Sequence, residues 1–163
     1  MNRSRTLVVG FVLLVLVALH FTLRPLLDWR AGVDFLVIGV LLVAVRVRPG
    51  VAAVVGLLFG LVLDALNPEA LGAAALAMTI TAFAASRLKA AFFTDDLGLN
   101  AIFVFGGKVL FDVLATIVEG RLRGSALLWQ LLAWTPLSAL ATAVVGVVVM
   151  AMVRPAIDEQ RFR

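Results

Sequence analysis

The chain has 163 residues, of which 63% are hydrophobic and 15% charged, with a mean hydropathy of +1.12. Soluble domains carry about 45–50% apolar and about 25% charged residues, so the composition speaks for an all-α integral membrane protein. With no cysteine and one histidine, His20, disulfides, thiolate metal sites and multi-histidine metal sites are excluded, and no cofactor or metal is expected. The net charge of +4 is read as a loop bias of a membrane protein and not as nucleic-acid affinity.

Six apolar spans are expected within one transmembrane domain covering residues 1–163. The first, 6–22, is long for a secretory signal and is not followed by a small-x-small cleavage site, so it is read as retained. His20, at its end and close to Trp29, is expected at the wet interface. The second, 33–47, closes on Arg46, Arg48, Pro49 and Gly50. The third, 51–66, ends at Asn67-Pro68, and the fourth, 71–86, ends at Arg87 and Lys89. A hairpin of these two that dips into the bilayer and returns is the alternative.

The link 90–98 is expected to be a short interfacial helix. The fifth span is 100–118. The sixth is 127–153, with a kink at Pro136 whose freed backbone groups Thr135 or Ser138 would help to satisfy. A charged tail, 154–163, follows. Arg3, Arg5, Arg46, Arg48, Arg87, Lys89, Arg154, Arg161 and Arg163 fall on one side of such a bundle. Only Arg24, Arg30, Arg121 and Arg123 fall on the other, so both termini are expected in the cytoplasm. The two halves do not match in Gly, Pro or charge placement, which argues against an inverted-repeat transporter.

Two constellations stand out. Ala52, Gly56, Gly60 and Asp64 recur at steps of four, so a groove of missing side chains runs down one helix face and ends on a carboxylate. Small residues in a membrane helix let another backbone come close, and ionisable groups there face protein or a water-filled cavity. Everything else is expected to pack on this helix. Lys108 and Asp112, four apart in the fifth span, can pair along one face, next to Gly106 and Gly107. Gln130, Thr79 and Thr81 are read as ordinary membrane-helix polar residues. No Ser/His pairing, HExxH or phosphate-cradling loop is present, and no enzymatic activity is expected.

The run A-V-R-V-R-P-G, then G-L-L-F-G-L-V-L-D-A-L, then P-E-A-L-G-A-A-A-L resembles the MreD family, small integral membrane proteins of the bacterial rod-shape and cell-elongation system. The family pattern, a basic pair closing a span, Gly-x-x-x-Gly-x-x-x-Asp, a short Leu-Gly turn and a small-residue helix, falls on Arg46, Arg48, Gly56, Gly60, Asp64, Leu71, Gly72 and Ala75. The likeness covers roughly residues 34–86. Val33 departs from it, standing before Asp34 where many members have Pro. The resemblance implies a six-helix bundle similar to the substrate-binding subunits of energy-coupling-factor vitamin transporters. It implies a non-enzymatic scaffold in the bacterial inner membrane that binds MreC and supports cell shape and lateral peptidoglycan synthesis. Within that elongasome, MreB, RodA and a class B penicillin-binding protein are further partners.

On this reading Ala52, Gly56, Gly60, Asp64, Leu71 and Gly72 form the surface that takes a helix of MreC or of a second copy. The basic loops meet membrane lipid. The alternative is a vitamin-binding subunit of the energy-coupling-factor type, with Asp64 near an outer pocket. Such subunits dock through an Ala-x-x-x-Ala stripe on the first span, where this chain offers only Gly10 and Ala18.

Overall fold

The computed structural model describes residues 3–27, 32–65, 70–92, 96–120 and 129–158. They form six α-helices and, among the described residues, no strand. The helices are α1 (Arg3–Leu27), α2 (Phe35–Ala44), α3 (Pro49–Ala65), α4 (Ala73–Phe92), α5 (Leu97–Glu119) and α6 (Thr135–Asp158). A π-helical turn, Gln130–Trp134, leads into α6. Leu97–Glu119 and Gln130–Met152 are long and apolar enough to cross a membrane, whereas Gly10–Thr22, Phe35–Ala44 and Pro49–Ala65 are apolar but shorter.

The shortest helix is the centre. Every residue of F-L-V-I-G-V-L-L-V-A is apolar, with no polar stripe to turn outward, and a helix apolar on all sides belongs in a core. Accordingly α1, α3, α4, α5 and α6 all pack on α2, and Leu36, Val37, Ile38 and Leu41 are fully buried. The expectation that everything else packs on the helix of Ala52, Gly56, Gly60 and Asp64 is therefore corrected: α3 is one wall, with Val51, Val54, Leu58 and Leu61 exposed along its outer face. A small-residue face admits one close neighbour, whereas an unbroken apolar surface admits a ring of them.

Local signals set the ends. Asp34 is the N-cap of α2, accepting from the Val37 amide at 3.4 Å. Pro49 opens α3, where its missing N–H costs nothing. Asp96 caps α5 by accepting from the Gly98 amide, and Gly120, at φ 61°, closes it in the left-handed conformation. At the far end of α2, the Val47 carbonyl accepts from Ser86 Oγ at 2.8 Å and from Lys89 Nζ at 2.7 Å, fastening the α2–α3 connection to α4.

Three expectations about boundaries change. Helix α1 continues past Arg24-Pro25 to Leu27, which carries His20 inside the fold, where it is 1% exposed rather than wet. Helix α4 runs on to Phe92 and α5 starts at Leu97 behind its cap Asp96, so the described residues of the 90–98 link belong to these two helices rather than to a separate interfacial one; residues 93–95 lie outside the described residues. Pro136 cannot donate to the carbonyl four residues back, and the helix accommodates it with the π turn just before, where the Thr135 amide bonds to the Gln130 carbonyl. Ser138 does not serve its own helix. Its hydroxyl donates to the Gly32 carbonyl at 3.1 Å, tying α6 to the segment ahead of α2.

Candidate functional site

The residues of the expected groove do share one face. Ala52, Gly56, Gly60 and Asp64 are all buried, and that face is filled by the chain's own α4. A Cβ placed on Gly60 would stand 2.3 Å from Ala75 Cα, and one on Gly56 would stand 2.5 Å from the Met78 carbonyl oxygen. Backbone therefore lies against backbone, which only glycine permits. The assignment of this groove to a helix of MreC or of a second copy is corrected: consecutive antiparallel helices joined by a short turn reach each other first, and α4 leaves no room for another occupant. Leu71 stands 71% exposed at the turn, and Gly72 there adopts φ 94°, so neither belongs to the packed face.

Asp64 completes the same contact. Its Oδ2 accepts from the amides of Gly72 at 3.0 Å and Ala75 at 2.9 Å, and its Oδ1 from the Ala74 amide at 3.0 Å. The first amides of a helix lack partners within it and carry the positive end of its dipole, so a carboxylate is the natural acceptor. Asp64, 2% exposed, is neither solvated nor aimed at a partner. It is the clasp that closes the α3–α4 hairpin.

The second constellation is larger than the sequence reading foresaw. Lys108 Nζ meets Asp112 Oδ1 at 2.5 Å, the i,i+4 pair, and also Asp34 Oδ2 at 3.3 Å. His20 Nδ1 lies 3.6 Å from Asp34 Oδ1, and the Asp34 amide donates to Thr142 Oγ1 at 3.1 Å. The Lys108 ammonium also sits 5.2 Å from the Phe111 ring centroid. One buried polar cluster thus joins α1, α2, α5 and α6. A buried charge stripped of its partner costs about 3–5 kcal/mol, so the cluster enforces a single mutual arrangement of these helices. Sequence reasoning missed His20 and Asp34. An aspartate just ahead of an apolar helix is an N-cap signal that could have drawn attention to Asp34, whereas nothing local joins it to a lysine 74 residues later.

Chemically, both sites hold helices. The oxygens of Asp64 accept three backbone amides, and the Lys108 ammonium lies between two carboxylates. Among the described residues, no group of three or more His, Asp or Glu side chains is arranged to hold a metal ion. No family model, curated protein or solved structure matches this chain.

Proposed function

We propose that the chain is a non-enzymatic scaffold in the bacterial cytoplasmic membrane, a six-span bundle with both termini in the cytoplasm. On this reading it is of the MreD type and binds MreC within the machinery that builds the lateral wall. The observation that carries the reading is the use of the buried ionisable groups: Asp64, Asp34, Lys108 and Asp112 are held by the chain's own amides and by one another. A scaffold needs a rigid body with partner contacts on its outside. Polar groups turned inward and apolar side chains turned outward, among them Phe11, Leu58, Leu140 and Val144, favour a bilayer as the surrounding medium. The A-V-R-V-R-P-G to P-E-A-L-G run supports the choice of family.

Vitamin binding of the energy-coupling-factor type gains little from this geometry, since the outer carboxylate it would use, Asp64, is engaged by backbone amides. The test is an affinity pull-down of the detergent-solubilised protein from its native membrane, identifying bound proteins and small molecules together. MreC with wall-synthesis enzymes in the eluate is the expected result. A coupling ATPase complex or a stoichiometric vitamin overturns the proposal.

A further inference from the structure

The walls of the bundle differ in length. Helix α5 and the stretch Gln130–Met152 each have 23 residues. That is about 34 Å of helix, enough with a modest tilt for a hydrocarbon layer of about 30 Å. Helix α3 has 17 residues and starts directly after the exposed Arg48. It measures about 25 Å, and tilting only shortens the thickness it covers. In α4 the apolar run 73–85 stops at Ser86 and Arg87, about 20 Å from its start. The Asp64 clasp and the contacts at Gly56 and Gly60 hold these two helices in one register, so both fall short together.

Two cations on this side add an independent observation. Lysine and arginine near the ends of membrane helices ordinarily reach outward to the headgroups. Here two arginines turn back. The Arg87 guanidinium lies 5.3 Å from the centroid of the Phe83 ring, one turn nearer the centre of α4. Arg46 Nη1 donates to the Leu42 carbonyl at 2.8 Å, likewise one turn back toward the centre of α2. Arg46, Arg87 and Phe83 are all exposed, so charge and apolar surface meet on the outside of the bundle at that level. Headgroup phosphates that pair with these guanidinium groups are drawn about 5 Å inward, one helical turn.

We infer that the outer face of the α3/α4 hairpin is a lipid-binding wall that selects short acyl chains and holds the bilayer beside it about 5–10 Å thinner than ordinary hydrocarbon. The inference rests on the six-span reading proposed above and adds a lipid specificity to it. The wall presents Val54, Leu58 and Leu61 from α3 and Leu76, Ile80 and Phe83 from α4, all exposed and apolar. A second copy is a poor match for it. Two-fold pairing about the membrane normal would set Arg46, Arg48 and Arg87 of one copy level with the same cations of the other, whereas lipid phosphate brings the opposite charge. The bundle thus meets lipid of two thicknesses on its two sides.

The test is quenching of single tryptophans by brominated phosphatidylcholines in vesicles. In a Trp29→Phe, Trp129→Phe, Trp134→Phe background, one reporter is placed on each wall: Leu58→Trp on α3, 57% exposed, and Val144→Trp on α6, 67% exposed. Val54→Trp and Leu140→Trp, also at exposed positions, repeat the comparison in case either reporter disturbs folding. Dimyristoleoyl lipid is expected to be favoured over dierucoyl lipid about twofold or more at the α3 reporters, and not at the α6 reporters. Equal preferences at both walls overturn the inference. So does an α3 reporter that no lipid quenches, since protein then covers the wall. The six-span reading is checked separately in the cysteine-free chain by labelling Leu71→Cys, at an exposed position of the turn, with a membrane-impermeant maleimide. Labelling from the outer face is expected, and with it equal lipid preferences sink the inference alone. Labelling from the cytoplasmic face only shows a hairpin that dips and returns, and overturns the six-span reading and the inference together.

Discussion

Replacing Gly60 by alanine adds one methyl group, and the structure says what that methyl would do. It would sit 2.3 Å from Ala75 Cα, 2.6 Å from the Ala74 carbonyl oxygen and 2.7 Å from the Ala75 nitrogen, all backbone atoms that no rotamer change can clear. Ordinary contact begins near 3.4 Å, so α4 has to retreat by about 1 Å. The same Ala75 amide donates to Asp64 at 2.9 Å, and a retreat of that size takes it beyond hydrogen-bonding distance. Overpacking of this kind costs about 1–3 kcal/mol. Loosening a bond to a charged, buried acceptor adds about 1–3 kcal/mol. The total, about 2–4 kcal/mol after partial relaxation, corresponds to a fall in Tm of about 5–15 °C for a chain of this size. The assay is thermal unfolding of the purified protein in one detergent, without any partner, beside Gly106→Ala as the control with open space. Equal Tm values for the two variants would show that α4 does not lie in the glycine groove.

Asp64→Asn keeps the shape of the clasp but replaces one carboxylate oxygen by an NH₂ group facing amide donors. A loss of about 1–3 kcal/mol is expected in the same unfolding assay, and none at all refutes the capping role. Lys108→Met leaves Asp34 and Asp112 buried without their shared cation and is expected to cost about 3–5 kcal/mol, whereas the triple variant with Asp34→Asn and Asp112→Asn recovers most of the loss. A triple variant no more stable than the single one contradicts the assignment of Lys108 to both carboxylates. Ser86→Ala removes one of two donors to the Val47 carbonyl and is expected to cost about 1 kcal/mol, measured by unfolding. Ser86→Ala with Lys89→Met is expected to exceed the sum of the two single variants, since the carbonyl then loses both donors.

Much of the helical layout was legible because apolar runs and their terminators are local. The i,i+4 spacing of Lys108 and Asp112 put them together, whereas Pro49, read as part of the close of the second span, is the first residue of α3. The errors are instructive. The Ala52–Gly56–Gly60 line reports that a backbone comes close without saying whose, and the short link expected from the sequence at Asn67–Gly72 favours the next helix in the chain. His20 reads as interfacial because it ends the 6–22 span and stands close to Trp29, yet α1 runs on to Leu27, and a proline in the last turn of a helix does not stop the residues ahead of it from being helical. Asp34 was passed over because burial around it depends on α5 and α6, which lie far away in sequence.

The central position of α2 also sets an order of events during synthesis. Asp34 emerges 74 residues before Lys108, the cation that compensates it, and its amide partner Thr142 comes 108 residues later. Ten residues span only about 15 Å as a helix, too little to cross hydrocarbon of about 30 Å unaided. A nascent chain ending before α5 therefore holds a short helix whose Asp34 cap has His20 and the Val37 amide beside it but neither Lys108 nor Thr142. The polar cluster that holds the N-terminal end of α2 is therefore complete only once α5 and α6 have been made, although α2 is second in order of synthesis.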